Sequence, residues 1–430
     1  MNYMEFGPEL LIIVCAVMAF FSVNWAYFKI LKIAKDKNLV DNPDARKLQK
    51  TPIPVLGGIA VFFGVISGML TAAVMVGGFE DVESTSYLLP VMMAMCVMLY
   101  VGAMDDIVGL TPISRLVIEI LTVLGLIYGG NGCVDSLHGV FGIDTFSWWW
   151  GVPLTVFGGV GIINAVNMID GVNGLSSGLC MVISLLFGVS FYWIGDYSNA
   201  MLAFVMFASL LPFYVHNVFG NRSRMFIGDA GTMVMGVLTV WFSITILKGD
   251  EVASKFSMLP GAGLLAMTLS FLCVPVFDTL RVMTMRMIHG RSPFSADKTH
   301  LHHVFISAGI SHFVTSSTII MLALVIVAIW SMSVKMGLDA TMQLIVVIAS
   351  GVLLVWGTYG FIRYHELHDT KFIHWLSSHS YVTHLGNKEW WKAISRWLDA
   401  PENDDMQLLD EERKTHLEHK FGLFKRSSKK

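Results

Sequence analysis

Apolar stretches of about 18–23 residues recur along most of this 430-residue chain. A helix of about 20 apolar residues is just long enough to cross the hydrocarbon core of a bilayer. Eleven such stretches therefore predict an all-α polytopic membrane protein with about eleven transmembrane helices. We place them near 9–29, 55–78, 87–104, 115–130, 148–167, 175–194, 200–219, 230–247, 260–282, 314–333 and 342–362.

The composition excludes a soluble globular protein. Hydrophobic residues make up 54% of the chain and charged residues only 14%, whereas a soluble domain carries about 25% charged residues. The formal net charge is −3, and we expect no nucleic-acid partner. The five cysteines lack the spacing of a disulfide framework or a zinc site, so we interpret them as small hydrophobic residues.

The distribution of lysine and arginine predicts the orientation in the membrane. If the N-terminus is outside, the outer loops contain only Lys248, Lys255 and Lys335 of the 29 basic residues. This bias follows the positive-inside rule, so the N-terminus is predicted outside and the C-terminus in the cytoplasm.

Two domains are predicted. Residues 1–362 form the membrane domain, and residues 363–430 form a polar cytoplasmic tail. Three tryptophans fall in a candidate amphipathic segment of this tail, at 388–398, and the chain ends in a basic run. We expect a solvated, partly disordered tail that touches anionic lipid.

Five short polar motifs interrupt the apolar pattern. Ionisable groups beside a bilayer core are costly to hold there, so motifs of this kind suggest chemistry. All five fall in or beside alternate connections (30–54, 105–114, 168–174, 220–229 and 283–313), which predicts that they face the cytoplasm together. The motifs are Asp105-Asp106, Asn164 to Leu175, Gly228 to Thr232, Ser292 to Asp297, and His300 to His303.

Asp105 and Asp106 are placed at the inner end of the third helix. Adjacent carboxylates repel one another unless a cation or a shared proton relieves them. Mg²⁺ prefers one or two carboxylates together with substrate oxygens, so the pair is a candidate metal site. The alternative is a helix end with two solvated acids.

Asn164, Asn167 and Asp170 are spaced by three, so a helix would place them within an arc of about 120°. They lead into Asn173 at the predicted cytoplasmic end of that helix. Three polar groups on one face of an apolar helix need partners or a substrate. Hydrogen bonding between helices is the alternative.

Asp229 opens the eighth helix between two glycines, Gly228 and Gly231, which permit close approach of the backbone. By itself, an aspartate here is typical of a helix cap. Beside Arg224 and the other acids it becomes a candidate metal ligand. The glycine-rich patterns of nucleotide-binding loops are absent, so metal and side chains would hold any phosphate.

His300, His302 and His303 lie in the longest inner loop, with Arg291 upstream. Zinc is disfavoured because neither cysteine nor a metalloprotease spacing accompanies them. Imidazoles that donate to phosphate, sugar or carbonyl oxygens fit better.

Two other basic positions remain open between structural and substrate roles. Arg281 either pairs with Asp278, three residues before it, or binds substrate. Lys47 belongs to a basic elbow before the second helix, which is either a positive-inside signal or a rim that attracts phosphate.

Taken together, these motifs resemble the polyprenyl-phosphate N-acetylhexosamine-1-phosphate transferases, the family of the WecA-like and MraY-like enzymes. The resemblance covers roughly residues 40–310. It implies a multi-helix protein of the bacterial inner membrane with a cytoplasmic Mg²⁺ site, where Mn²⁺ is an alternative. It also implies a UDP-N-acetylhexosamine donor, with GlcNAc as the expected sugar, and a polyprenyl phosphate acceptor.

The resemblance also implies residue roles. Asp105 and Asp106 match paired acids implicated in metal binding or acceptor activation, Asp170 matches the acid of the asparagine-rich motif, and Asp229 matches a metal ligand. Lys47, the asparagines, Arg224, Arg281, Arg291 and the histidines are expected to bind substrate. The chain departs from the common pattern at Gln49, Arg115, Glu119 and Asn173.

Two other classes of protein are weighed against the transferase. A transporter of phosphorylated or acidic solutes would need polar residues near the middle of the membrane and some repeat symmetry. A membrane scaffold that signals through its tail would have no use for five convergent motifs. A homodimer is the candidate assembly.

Overall fold

The computed structural model describes residues 7–41, 52–75, 88–130, 132–248, 261–293, 299–380, 385 and 388–400. Helices dominate these residues, and two short antiparallel strand pairs lie in the connections. The helices are α1 Pro8–Asp36, α2 Gly57–Met75, α3 Leu89–Val108, α4 Pro112–Gly129, α5 Trp148–Met168, α6 Leu175–Trp193, α7 Tyr197–Phe219, α8 Gly228–Leu247, α9 Leu264–Phe271, α10 Cys273–Ile288, α11 Leu301–Ser307, α12 His312–Lys335, α13 Ala340–Leu367, α14 Lys371–Ser380 and α15 at 389–400. The strands are β1 Val40–Asp41, β2 Ile53–Pro54, β3 Ser136–Val140 and β4 Ile143–Thr145.

The predicted class is confirmed. Within the described ranges, 10 helices are long and apolar enough to cross a membrane, or 11 if the bent pair α9–α10 is one span. No closed sheet is present among these residues, because each strand pair has only two strands.

The predicted span at 260–282 is a bent pair of helices. The chain bends by 77° between α9, which ends at Phe271, and α10, which begins at Cys273. Pro275 explains the break, because a proline has no N–H to donate and its ring clashes with the carbonyl four residues back, here that of Phe271.

Two other predicted helix ends are also corrected. The third helix runs to Val108 rather than 104, so Asp105 and Asp106 lie within its last turn. Conversely, α5 ends at Met168, so Asp170 lies beyond the helix instead of sharing a helical face with Asn164 and Asn167.

Helix α8 occupies the centre of the bundle. Every residue of Gly228–Leu247 except Asp229 is buried, although other spans of the bundle are equally or more apolar. It packs against α2, α3 and α5. The packing against α3 is very close at Gly102, where an added Cβ would lie 2.5 Å from the backbone nitrogen of Ala230.

The two ends of the bundle differ. At one end, the β3–β4 hairpin is held by His138, whose Nε2 lies 3.0 Å from the carbonyl oxygen of Leu247, and by Thr341, which accepts from the N–H of Phe141. At the other end lie the helix termini that carry the polar motifs. The fold therefore places the described residues of the polar motifs together at one end of the bundle.

Candidate active site

Arg115, near the start of α4, lies at the centre of a polar cluster. Its Nη1 is 3.0 Å from Oδ2 of Asp105 on α3 and 3.4 Å from Oδ2 of Asp229 on α8. Its Nη2 donates to Oδ1 of Asn167 on α5 at 2.7 Å, and its Nε lies 3.1 Å from Oε1 of Glu119. One guanidinium thus joins side chains from four helices.

Asp106 holds the first turn of α8. Its two carboxylate oxygens accept from the backbone N–H groups of Asp229 and Ala230, at 2.9 and 3.1 Å. These N–H groups have no partner inside their own helix, and the helix N-terminus favours negative charge. Gly228 precedes them with φ of 69°, and an added Cβ there would lie 2.5 Å from Oδ2 of Asp106.

The side chain of Asp229 therefore does not cap its own helix and is directed into the cluster. Nδ2 of Asn167 donates to Oδ1 of Asp229 at 2.7 Å and lies equally close to Oγ1 of Thr232. One turn earlier on α5, Asn164 donates to the buried carboxylate of Glu119. Asn164 thus makes a hydrogen bond between helices, which was the alternative to a role in binding substrate. Asn167 orients Asp229.

The charge of the cluster fits a divalent cation. The carboxyl groups of Asp105, Glu119 and Asp229 contact a single guanidinium, and a fourth, that of Asp106, binds the backbone of Asp229 beside them. Of the Asp229 side chain, 34% is exposed. Across the described part of the chain, no three His, Cys, Asp or Glu side chains form a complete metal cage. Mg²⁺ does not require one, since it usually takes one or two carboxylates with water and substrate phosphate.

Asp170 lies in the loop after α5. Its Oδ1 accepts from the hydroxyl of Ser176 at 2.7 Å. Burial raises the pKa of Asp170 to about 6, the Ser176 hydrogen bond opposes this, and the charge of Asp229 adds to it. The loop thus lies near Asp229 and holds an acid whose protonation changes near neutral pH.

The histidines pack against the same loop. The His302 ring lies so close to Gly171 that an added Cβ would be 2.3 Å from Nε2. The rings of His302 and His303 have centroids 4.3 Å apart. Burial, with the neighbouring His303 and His300, holds the pKa of His302 well below its usual value, so this ring is neutral.

Asp278 on α10 fixes the start of the histidine segment. It accepts from Nη2 of Arg281 at 2.8 Å, lies 3.0 Å from Nδ1 of His300, and accepts from the N–H of Leu301. The Arg281 guanidinium also lies 3.6 Å from the ring centroid of Tyr359. Arg281 and His300 are therefore bound within the protein by structural contacts.

The remaining predicted residues lie apart from this cluster or outside the described ranges. Lys47 and part of the Ser292–Asp297 motif are outside them. Arg291 is exposed after the end of α10. The N–H of Asn173 lies 3.4 Å from Nδ1 of His312. Arg224 is partly buried, and its Nε has no hydrogen-bond partner.

Sequence reasoning missed the central role of Arg115 and the part played by Glu119. Their i, i+4 spacing on a helix was a signal for an ion pair. Nothing in the local sequence indicated that Asp229, from 114 residues away, would join the same arginine.

The sequence of this chain is similar to those of known glycosyltransferases. The chain matches the model of Glycosyl transferase family 4 over residues 88–247. It is 30% identical over 312 residues to an undecaprenyl-phosphate alpha-N-acetylglucosaminyl 1-phosphate transferase of Yersinia pestis, covering 72% of this chain and 79% of the relative. The chain therefore belongs to the same family as this transferase, Glycosyl transferase family 4.

Two other relatives match a similar share of the chain. The protein of the same name from Salmonella typhi is 31% identical over 285 residues, covering 66% of this chain and 73% of the relative. A probable undecaprenyl-phosphate N-acetylglucosaminyl 1-phosphate transferase of Bacillus subtilis is 27% identical over 284 residues, covering 66% and 74%. The family 4 match begins at α3 and ends at α8, so it contains the Arg115 cluster.

Proposed function

We propose that this protein transfers N-acetylglucosamine 1-phosphate from UDP-N-acetylglucosamine to undecaprenyl phosphate, which yields undecaprenyl-diphospho-N-acetylglucosamine and UMP. The observation that carries the proposal is the meeting of Asp105, Asn167 and Asp229 around Arg115, with Asp106 bound to the backbone of Asp229, in a family 4 chain. The names of the relatives supply the sugar and the lipid.

Repulsion is the main obstacle to this reaction, because an anionic phosphate must attack an anionic diphosphate. The lipid phosphate forms a new bond to the phosphorus that bears the sugar, and the bond from that phosphorus to UMP breaks. Asp229 and Asp105 would hold Mg²⁺, and a bound Mg²⁺ would supply positive charge to offset the negative charge of the diphosphate and of the leaving UMP. Mn²⁺ is the alternative ion.

The chain's own residues position these charges. Asp106 fixes the first turn of α8, and Asn167 and Arg115 orient the carboxylate of Asp229. Deprotonation of the lipid phosphate is a modest task for Asp105, Asp106 or Asp170, since the second pKa of a phosphate monoester is about 6. His302 and His303 would donate hydrogen bonds to the sugar or its phosphates.

The protein is proposed to lie in the inner membrane of a bacterium, with its site facing the cytoplasm. The positive-inside bias supports this side for the helix ends that carry the cluster, and nucleotide-activated sugars are found there. The phosphate headgroup of a polyprenyl phosphate would reach the cluster at these helix ends, while its hydrocarbon chain stays in the bilayer.

Transport is not favoured. The buried hydroxyls in the middle of α8, the central helix, belong to Thr239, Ser243 and Thr245, and each donates to a carbonyl four residues earlier in the same helix. They are satisfied locally, so they do not form a polar path toward the other end of the bundle.

The decisive experiment uses purified full-length protein with Mg²⁺, undecaprenyl phosphate and a panel of UDP-sugars. We expect UMP release that depends on both the lipid and UDP-N-acetylglucosamine, with a lipid product of the corresponding mass. UMP release that ignores the lipid, or a different preferred sugar, would contradict the proposal.

Asp229→Asn tests the ligand assignment. The amide keeps the shape of the side chain but removes its charge, so we expect transferase activity to fall by at least about 10²-fold while the protein stays folded. Asp144→Asn, in β4 at the opposite end, is the matched control and should have normal activity. Near-normal turnover of Asp229→Asn with Mg²⁺ would refute the assignment.

A further inference from the structure

The helix α15 in the C-terminal tail packs on the end of the bundle that carries the site. Its buried face includes Trp391, whose ring centroid lies 4.7 Å from that of Phe219 on α7 and 5.5 Å from that of Phe313 on α12. The hydroxyl of Ser395 donates to the carbonyl of Phe219 at 2.5 Å. Residues 389–400 form a helix where the amphipathic segment 388–398 is expected, and this helix is docked on the bundle rather than solvated.

Asp399, one residue before the end of α15, binds the loop that follows α7. One of its carboxylate oxygens, Oδ1, accepts from the N–H groups of Asn221, Arg222 and Ser223, at 3.2, 3.1 and 2.9 Å. The hydroxyl of Ser223 donates to the same oxygen at 2.8 Å. Only 6% of Asp399 is exposed.

Three successive N–H groups aimed at one carboxylate form a concave anion site in the backbone. Buried N–H groups need partners, and a bond to a charged acceptor is stronger than one to a neutral acceptor. Asp399 therefore fixes the conformation of residues 221–223 from outside the loop.

The same loop runs directly into Asp229. After Ser223, whose carbonyl accepts from the hydroxyl of Tyr27 at 2.7 Å, the carbonyl of Met225 accepts from Nδ2 of Asn217 at 2.9 Å. The N–H of Phe226 then donates to the carbonyl of Pro54 at 2.8 Å. Gly58 donates to the carbonyl of Ile227 at 2.7 Å, immediately before Gly228 and Asp229.

We propose that α15, through Asp399, is a clamp that holds the loop 220–227 and thereby positions Asp229 in the active site. Asp399 is a positioning residue, since its hydrogen bonds go to residues 221–223 and not to the cluster around Arg115. The effect on metal use rests on the proposed transferase function, whereas the ordering of the loop does not.

Asp399→Ala and the milder Asp399→Asn test the clamp in the full-length protein. Glu389→Ala is the matched control, because Glu389 is an exposed acid on the same helix that contacts only Lys392 among the described ion pairs. Hydrogen exchange is measured by mass spectrometry on peptides that cover 220–230. Transferase activity is measured across a range of Mg²⁺ concentrations.

We expect both Asp399 variants to exchange at least about tenfold faster across the loop, including the amide of Asp229, because local opening becomes easier. The Mg²⁺ concentration for half-maximal activity should rise several-fold, while kcat at saturating Mg²⁺ stays close to normal. Glu389→Ala should change neither property.

Unchanged exchange, or faster exchange confined to 221–223, would overturn the clamp. Faster exchange up to Asp229 with an unchanged Mg²⁺ requirement would overturn its role in positioning the ligand. If the unmodified protein shows no transferase activity, the proposed function fails, and the exchange result still decides whether the clamp reaches Asp229.

Discussion

At the scale of single residues, Arg115 is the cation that joins the carboxylates of the cluster. It contacts carboxylates from α3 and α8, and only 17% of its side chain is exposed. Its guanidinium lowers the repulsion between Asp105 and Asp229 when no other cation is present. Because its fork reaches four partners in fixed directions, a lysine could not replace it.

Arg115→Met should destabilise the fold by about 3 kcal/mol, because it leaves the buried carboxylate of Glu119 without its cation. Adding Glu119→Gln should recover part of this loss, since a neutral amide needs no cation. Thermal unfolding in detergent measures the stability of both single variants and the double variant.

Arg363→Met is the control for this pair of substitutions. Arg363 and Glu366 form an exposed i, i+3 pair, with an N–O distance of 2.7 Å, in the last part of α13. Removing such a pair should cost less than about 1 kcal/mol. Strictly additive effects of Arg115→Met and Glu119→Gln would show that the two residues do not interact.

At the scale of elements, the site depends on how closely α3 and α8 approach one another. Gly102 lies one turn before Asp106 on α3, and its surface faces the backbone of Asp229 and Ala230. The absence of a side chain at Gly102 lets Asp106 reach the N–H groups of α8. Gly102 therefore sets both the close contact of α3 with α8 and the position of Asp229.

Gly102→Ala should push the two helices apart, because the new Cβ would lie 2.5 Å from backbone atoms that have no freedom to rotate away. We expect a loss of about 1–3 kcal/mol of stability and a fall in transferase activity on the order of 10²-fold. Activity and melting temperature are measured on the same preparation.

Gly125→Ala on α4 is the matched control, since an added Cβ there meets open space. In a helix interior this change should leave stability equal or higher by up to about 1 kcal/mol. Equal activity of the Gly102 and Gly125 variants would mean that the spacing of α3 and α8 does not position Asp229.

At the scale of the whole molecule, the orientation in the membrane stays a prediction from charge. Alkaline phosphatase fused after residue 248 should be active, because that loop is predicted outside, whereas a fusion after residue 222 should be inactive. The reverse pattern would place the site on the wrong side for a nucleotide sugar.

The candidate homodimer is a separate prediction. Measuring the mass of the protein in detergent tests it.

Much of the fold and part of the site could be predicted from local sequence. Span length depends only on composition along the chain, so the class was predicted correctly, and the eleven expected spans agree with the 10 or 11 found in the described residues. The break at Pro275 had a local signal in the proline itself. The closeness of Asp105, Asp106 and Asp229 followed from placing their loops at one end of the bundle.

The remaining features depend on which helices are neighbours, and no local pattern contains that information. Arg115 binds Asp229 because α4 and α8 both border α3, and Asp399 reaches the loop before α8 because α15 folds back on α7. By itself, the sequence determined the membrane class, the approximate span number and most of the candidate polar residues, since these follow from local hydrophobicity and residue type. Only the tertiary structure decided which active groups meet and which serve as supports, because hydrogen bonds and ion pairs act over a few ångströms between residues far apart in the chain.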